Sequence, residues 1–432
     1  MRRELAVAPG EVFDMVKVKL SKARLEGLNY FERIEAQPEP TDVPDRRNLV
    51  IGVNEKSTGN FSIGAGFSSV DSILGFVEVT QGNFDLFNPP WFMGGGQKAR
   101  LRLAYGAVRQ DYTMSFVEPW FLGKKLALSV DFYHHDLNNV SLNELYSERR
   151  TGMRYGLTKA LGSDFVIGGI SYTLENVNIY DVSPTASPAI KDEAGSRLVS
   201  KIGTSLSFDT RNHALLPNKG QRSEFRTELA GGPLGGETDF YRLEFRHSRY
   251  FPGFFDGHVL ELIGRIGVVE SYGDSTSVPL FDRWFLGGID TLRGYRYREV
   301  GPQDYTGEPL GGGTYWFGSA EYSVPIIDRL RFAVFYDIGM VYPGAYSFRP
   351  QDTVFANYSS TTGYVGGQPV PATIQTQYNF TTGTYNDNWG VGLRLNLPIG
   401  PLRLDYGIPI RHDARNGSSG RFQFSVGYTR DF

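Results

Sequence analysis

The sequence contains no cysteine, which excludes disulfide bonds, thiolate metal ligands and cysteine nucleophiles. It also has no run of 18 or more apolar residues. A membrane-spanning helix needs about 20 apolar residues, so a helical membrane protein is excluded. The formal net charge is −3 over 432 residues, and this balance does not point to a nucleic acid or to a strongly acidic molecule as a partner.

Linear motifs of catalysis are missing as well. The chain has no phosphate-binding G-x-x-x-x-G-K-[ST], no zinc-protease H-E-x-x-H and no hydrolase G-x-S-x-G. His134 and His135 form the only adjacent pair among six histidines, and neighbours on a strand point to opposite faces, so they cannot chelate one metal ion together. We therefore predict no catalytic residue, no metal site, no cofactor and no enzymatic activity. The one enzymatic alternative is a hydrolase whose Ser and His residues meet only in the folded chain.

What the sequence does contain is a long series of alternating segments. Glycine (52 residues) and aromatic residues (14%) are abundant, and from Gly59 onward apolar and polar residues alternate between turn-forming residues. In QKARLRLAYG, for example, Leu101 and Leu103 share one face of a strand while Arg100 and Arg102 share the other. About 16 such segments are predicted strands, with approximate cores at 60–69, 74–83, 97–108, 110–121, 124–137, 147–161, 163–179, 196–211, 219–232, 238–252, 257–271, 312–326, 329–343, 386–399, 400–413 and 420–432.

Two architectures compete for this pattern. A soluble β-sandwich or propeller also alternates, but a propeller should show a repeat of about 40–50 residues, and the chain shows none. The even strand number, the length of the strands and the aromatic residues at their ends favour a transmembrane β-barrel. Connections that alternate between tight turns and the long segments 272–311 and 344–385 favour it too.

The first 57 residues have a different sequence pattern. Residues 9–28 are predicted to form a helix, with Pro9 in its first turn and Gly27 as its stop. Two short strands are predicted at 30–36 and 48–55. One helix and two strands make a small α+β unit that needs at least one more strand and helix to cover its core.

Charged residues occupy the inward phase of two predicted strands near the C-terminus. In GTYWFGSAEYSVPI, the phase that turns Tyr322 outward turns Glu321 inward. In RLRFAVFYDIGM, the phase that turns Val334 outward turns Arg331 and Asp337 inward. The segment before these strands, FLGGIDTLRGYRYREVGP, is too polar for a membrane strand and long enough to fold back toward the two acids.

These residues resemble BamA and its relatives, a family of outer-membrane assembly and secretion pores. LRGY at 292–295 is similar to the V-R-G-F/Y loop motif of the family, with Leu292 in place of Val. FYDIG at 335–339 is similar to the F-x-D-x-G strand motif, and GSAEY places Glu321 where the family has a second lumen acid. SFDTRNHALLPNKGQR at 207–222 resembles the D-x-R…P…G segment between two mid-barrel strands.

The resemblance implies an all-β fold, a 16-stranded antiparallel transmembrane β-barrel (58–432) with an inward-folded loop at 272–311. A partial α+β POTRA module (1–57) is expected to precede it. The first strand of that module is missing from the sequence and MRRELAVAPGEVF has no signal peptide, so residues 1–57 are expected to be a fragment of a longer module.

The resemblance also implies a set of site residues. The expected lumen loop motif is Leu292, Arg293, Gly294 and Tyr295. Arg293 is expected to reach Glu321 and Asp337, because a guanidinium keeps its proton and can hold two carboxylates in fixed geometry.

The implied function is insertion and assembly of β-barrel proteins in the bacterial outer membrane, through a lateral gate between the first and last strands. The expected gate residues are Asn60, Gly64 and Gly66 on the first strand, and Gly427 and Phe432 on the last. Arg430 stands where the family usually has an apolar residue, which is a departure from its C-terminal pattern.

The expected partners are outer-membrane lipids and lipopolysaccharide, unfolded β-barrel clients, and periplasmic chaperones and accessory lipoproteins bound through a periplasmic POTRA region. No nucleic acid is expected. The alternatives are a two-partner-secretion or TamA-like translocation pore and, from a different class, a diffusion porin.

Overall fold

A computed structural model describes residues 2–44, 46–68, 72–138, 144–214, 216–304, 307–350, 352–365, 368–381, 384–397, 400–411 and 419–426. The first part, residues 2–58, is called the N-terminal unit below. It contains α1 (Met15–Gly27) and an antiparallel pair, β1 (Phe31–Pro40) and β2 (Arg47–Glu55).

The helix α1 begins at Met15 and not at Pro9 as the sequence predicted. Asp14 has an extended backbone, and its carboxylate accepts a hydrogen bond from the Val16 amide at 2.7 Å, which is the geometry of a helix N-cap. Val18 and Leu25 are buried on the inner face of the helix. No helix among the described residues is long and apolar enough to cross a membrane.

The remainder of the chain forms a closed barrel of sixteen antiparallel strands, and the predicted fold class is confirmed. Each barrel strand pairs with the barrel strand that follows it in the sequence. The last strand, β20, pairs with the first, β3, and so closes the barrel. The strands are β3 (Gly59–Ser68), β4 (Ser72–Phe84), β5 (Gln97–Gly106), β6 (Arg109–Glu118), β7 (Ala127–Leu137), β8 (Ser147–Ala160), β9 (Val166–Tyr180), β10 (Gly195–Asp209), β11 (Gly220–Ala230), β12 (Phe240–Pro252), β13 (Val259–Ser271), β14 (Thr314–Ile327), β15 (Leu330–Tyr342), β18 (Asn386–Leu397), β19 (Gly400–Arg411) and β20 (Arg421–Val426).

The long connection between β15 and β18 contains a hairpin of its own. Its strands, β16 (Asp352–Val365) and β17 (Gln368–Thr381), pair with each other and not with the barrel. A second short helix, α2 (Pro188–Lys191), lies in the connection between β9 and β10.

The two faces of the barrel wall differ in polarity. On β15, Phe332, Val334 and Tyr336 are exposed on the outside, while Phe335 and Asp337 are buried on the inside. The same alternation leaves apolar side chains outside along the other strands and polar ones inside. An apolar exterior around a polar interior is the arrangement of a membrane-spanning barrel.

The connection between β13 and β14, residues 272–313, is called the internal loop below. Its described residues run back against the inner wall and are joined to one another by isolated bridges such as Trp284–Gly312 and Leu286–Val300. Apolar side chains of the loop pack with those of the 145–190 region, including Tyr146 and Ile190, into one buried cluster. This cluster fixes the loop at the end of the barrel opposite the N-terminal unit.

Candidate functional site

The tip of the internal loop is a tight turn that requires glycine. Gly287 and Gly288 have φ angles of 111° and 101°, in the region that side-chain-bearing residues rarely adopt. A Cβ on Gly287 would lie 2.2 Å from the carbonyl oxygen of Arg296. The Gly288 amide is 3.2 Å from the carbonyl oxygens of both Leu292 and Tyr295, so the turn presents Arg293 on the far side of the loop.

Arg293 is fully enclosed, with 0% of its surface exposed, and its guanidinium binds two carboxylates. Asp337 on β15 accepts from Nε and from Nη2, each at 2.7 Å, and Glu321 on β14 accepts from Nη1 at 2.6 Å. The ring of Phe335 lies beneath the guanidinium, with its centroid 3.4 Å from Cζ. The structure therefore places Arg293 in contact with both acids that the sequence had put on the inner wall.

Further charges surround this contact and balance it. Arg394 on β18 donates to Glu321 at 2.8 Å and to Asp405 on β19 at 2.5 Å. Arg403 donates to Asp405 at 2.9 Å, and Asp405 lies 3.6 Å from Arg293. Three arginines thus face three carboxylates in one buried network, which meets the requirement that buried charges be paired.

Burial alone would lower the pKa of Arg293, since it disfavours a charged group. The adjacent Asp337, followed by Glu321 and Asp405, outweighs burial and holds the pKa of Arg293 well above its usual value. The guanidinium is therefore a permanent cation at the centre of the network.

The backbone of the loop tip approaches the barrel wall closely. A Cβ on Gly407 of β19 would lie 2.7 Å from the carbonyl carbon and oxygen of Arg293, and a Cβ on Gly294 would lie 2.7 Å from the Cβ of Asn388. Two glycines, one on each surface, thus permit the contact.

The loop tip also binds the last described strand. The side-chain amide of Gln423 on β20 donates to the carbonyl oxygen of Arg293 at 2.6 Å and to that of Tyr295 at 2.8 Å. The hydroxyl of Tyr295 donates to the carbonyl oxygens of Asp387, at 3.0 Å, and Arg411. The internal loop is consequently linked to every barrel strand from β14 to β20.

The root of the internal loop has a separate anchor on the other side of the lumen. Arg150 on β8 donates to the carbonyl oxygen of Phe281 at 2.8 Å, and Glu193 accepts from the Leu280 amide at 3.2 Å. Asp282 is buried 3.9 Å from Lys201 on β10. Burial raises the pKa of Asp282 above its usual value, and Lys201 offsets this only in part.

The predicted gate residues Asn60, Gly64 and Gly66 lie on β3, whose junction with β20 is called the seam below. Gly64 faces the ring of Phe76 on β4, which a Cβ at this position would meet at 2.5 Å. Asn60 donates to Ser62 of the same strand at 2.9 Å. Within the described residues, β20 pairs with β3 at Ser425–Ser68. Gly427 and Phe432 lie outside the described residues.

The sequence reasoning missed four residues of the site: Arg394, Arg403, Asp405 and Gln423. A signal was present, because Arg403 and Asp405 alternate with Leu402 and Leu404 and so belong to the inward phase of β19. The alternation alone does not show which inward residues lie level with the loop tip.

Comparison with known proteins places the fold in a family. Residues 92–429 match the family model described as the Omp85 superfamily domain. This chain belongs to the Omp85 superfamily. Residues 1–56 match a POTRA model, described as the surface antigen variable number repeat.

Two curated proteins are similar to this Omp85 chain over almost its whole length. The outer membrane protein assembly factor BamA of Nitratidesulfovibrio vulgaris is 27% identical over 432 residues, covering 98% of this chain and 48% of that protein. Sorting and assembly machinery component 50 homolog B of Xenopus laevis is 26% identical over 424 residues, covering 96% and 82%. The chain spans about half the length of the BamA proteins that it matches.

A solved structure shows the same fold. The crystal structure of BamA from Haemophilus ducreyi lacking POTRA domains 1–3 aligns with this Omp85 chain at a TM-score of 0.75 and 18% identity, covering 98% of this chain and 80% of that one.

Replacing Gln423 with leucine is expected to destabilise the barrel of this Omp85 chain. Leucine has a similar volume but removes the side-chain donor to the buried carbonyl of Arg293 and one of the donors to that of Tyr295, and loss of a buried hydrogen bond of this kind costs about 1–3 kcal/mol. The check is the temperature at which the compact folded band is lost in semi-native electrophoresis. Gln110→Leu, on β6 and away from the loop, is the matched control. An equal effect of both changes would contradict the role of Gln423.

Proposed function

We propose that this chain inserts and folds β-barrel proteins into the bacterial outer membrane. The observation that carries the proposal is the similarity of nearly the whole chain to proteins named outer membrane protein assembly factor BamA. The proposed function requires neither a catalytic residue nor a cofactor, because barrel insertion needs only a strand template and a path into the membrane.

The seam supplies a physical route for the reaction. In a closed barrel every backbone amide and carbonyl of the wall is paired, whereas separation of β3 from β20 exposes two strand edges. An unfolded client strand can then pair with an exposed edge, so that its backbone groups are satisfied as it enters the lipid. Gly64 and Gly66 leave β3 with little side-chain packing across this face, which favours separation at this strand.

The internal loop is proposed to hold the wall together while the seam opens. Its tip binds β14 and β15 through Arg293, and Gln423 extends the same network to β20. Strands β14 to β19 would then move as one body around Arg293, Glu321 and Asp337. The loop motif from Leu292 to Tyr295 thereby keeps the network aligned while β3 separates from β20.

We further propose the location and the partners. The barrel (58–432) would lie in the outer membrane, in contact with its lipids and lipopolysaccharide, and the POTRA region (1–57) would lie in the periplasm. Unfolded barrel proteins are the proposed clients. Periplasmic chaperones and accessory lipoproteins are the proposed partners of the POTRA region, whose presence is supported by the match of residues 1–56 to a POTRA model.

Reconstitution of the purified chain into lipid vesicles tests this function. An unfolded outer-membrane barrel added from urea should fold faster into these vesicles than into protein-free ones, as followed by the appearance of its compact electrophoretic band. Large and steady ion conductance without accelerated folding would support a porin instead. Transfer of an unfolded chain into the vesicle interior without membrane insertion would support a translocation pore.

A further inference from the structure

A cavity lies in the inner wall of the barrel, between β11, β12 and β13. The side chains that line it on the lumen face are Arg222, Glu224, Arg246, Ser248, Ile263 and Arg265. Its volume is about 230 Å³, including the part that is open to the lumen. Clefts that bind drug-sized ligands measure roughly 300–1,000 Å³, so this cavity is suited to a single small group.

The register of the strands brings two arginines together in the cavity. Arg246 on β12 and Arg265 on β13, called the arginine pair below, are directly opposite each other. Both face the lumen, because Arg265 is in turn opposite Phe317 of β14, which is buried on the inner wall. Side chains at opposite positions have Cβ atoms about 4.5–5.5 Å apart, and like charges there destabilise a sheet. An anion between the two guanidinium groups would offset this repulsion.

The carboxylates that form ion pairs around the cavity are fewer than the arginines. Glu224 accepts from Arg222 at 3.2 Å and from Arg226 at 2.7 Å, so one carboxylate serves two cations. Glu244 lies 2.9 Å from Arg246. With the other member of the arginine pair, four arginines among the described residues line or border the cavity, and two carboxylates form ion pairs with them. The local charge therefore favours an anion and repels a metal cation.

A hydroxyl group adds a neutral donor to the cavity. Ser248 is 3% exposed, and its Oγ makes no hydrogen bond with the described residues. Tyr250, two positions further along the same face, donates its own hydroxyl hydrogen to Glu261 at 2.9 Å. Buried polar groups are normally hydrogen-bonded, so an acceptor in the cavity would satisfy Ser248.

A carboxylate or phosphate group fits this set of donors. A guanidinium presents its N–H groups as a planar fork that matches two oxygens of such a group. Hydrogen bonds between an ionised donor and an ionised acceptor are roughly twice as strong as neutral ones. A group with two or more oxygens can accept from both members of the arginine pair and from Ser248 together.

We propose that the arginine pair and Ser248 bind an oxyanion, a carboxylate or phosphate group, in the wall of the lumen. The site is separate from the Arg293 network, whose carboxylates lie on β14, β15 and β19. It is also remote from the seam, because β11 to β13 are the ninth to eleventh of the sixteen strands counted from β3. The group comes either from free phosphate or from an acidic side chain of a polypeptide in the lumen. The inference requires only the folded barrel, so it holds or fails independently of assembly activity.

Equilibrium dialysis of the purified chain in detergent micelles against radiolabelled inorganic phosphate tests the site. The ionic strength is kept constant with chloride. The unmodified chain is compared with Arg265→Gln and with Arg154→Gln, which removes an arginine from the inner face of β8 and changes the net charge equally. Folding of each variant is checked by its compact electrophoretic band. Ser248→Ala is a further variant that leaves the arginine pair unchanged.

The expected result is saturable phosphate binding to the unmodified chain and to Arg154→Gln. Arg265→Gln should bind about tenfold more weakly or worse, as expected for loss of a hydrogen bond between charged groups. Ser248→Ala should bind several-fold more weakly, because it lacks the neutral donor. Absence of saturable binding to the unmodified chain would overturn the proposal. Equal binding by Arg265→Gln and the unmodified chain would overturn it as well.

A short polyglutamate peptide, added as a competitor, distinguishes the two sources of the oxyanion. Displacement of labelled phosphate at a lower peptide concentration than is needed with unlabelled phosphate would assign the site to acidic segments of a polypeptide. Displacement only at an equal or higher concentration would assign it to the free anion. In either case the displacement should depend on Arg265 and not on Arg154.

Discussion

Replacing Arg293 with alanine is expected to destabilise the barrel severely and to abolish assembly activity. The change removes the cation that binds Asp337 and Glu321 and lies 3.6 Å from Asp405. It leaves a buried network with three carboxylates and only two arginines. Breaking a buried ion pair by removing one partner costs about 3–5 kcal/mol, because the remaining charge stays desolvated.

The experiment compares Arg293→Ala with Arg296→Ala in the same loop, where Arg296 is exposed. Thermal loss of the compact electrophoretic band and the rate of client folding are measured for both variants. We expect a large decrease in both quantities for Arg293→Ala and values near those of the unmodified chain for Arg296→Ala. Arg293→Lys should be intermediate at best, since an ammonium cannot reproduce the planar two-point contact with Asp337. Full stability and activity of Arg293→Ala would contradict the proposed role of the internal loop.

The barrel could be predicted because the pattern that identifies each strand lies within that strand's own sequence. Each strand must turn apolar residues to lipid and polar residues to the lumen, so period-2 alternation is written into every segment. On β15, Val334 and Tyr336 are exposed and Asp337 is buried, as the phase of RLRFAVFYDIGM predicts. The same alternation placed Glu321 on the inner wall.

The full charge network could not be predicted, because it depends on the relative height of strands that are far apart in the sequence. Alternation assigns Arg403 and Asp405 to the inner face, but the tilt and stagger of β18, β19 and β20 bring them level with the loop tip. Gln423 reaches Arg293 across 130 positions of the chain. No local pattern encodes that distance.

Two other differences from expectation have local causes. Residues 9–14 are not helical, because Asp14 caps the helix from outside and Pro9 therefore stands well before it. The long 344–385 segment was predicted only as a connection, yet it contains the β16–β17 hairpin. Its Thr, Tyr and Val residues have high β-propensity, which favours these two strands.

Locking the seam with a disulfide is expected to abolish assembly activity without unfolding the barrel. Ser68 and Ser425 are opposite each other on β3 and β20, and cross-strand neighbours lie about 4.5–5.5 Å apart, within the range that a disulfide spans. The chain has no other cysteine, so Ser68→Cys with Ser425→Cys can form only this crosslink within one molecule. Client folding into vesicles should be lost under oxidising conditions and should return on addition of a reductant.

Thr204→Cys with Thr227→Cys is the matched control, because these residues are opposite each other on β10 and β11, away from the seam. Both crosslinks restrain one pair of neighbouring strands and affect stability similarly, but only the first prevents β3 from separating from β20. A selective loss of activity in the seam variant would therefore assign client entry to this pair of strands. Normal activity in a fully crosslinked seam variant would exclude entry between β3 and β20, and clients would then have to reach the membrane by a route that leaves the barrel closed.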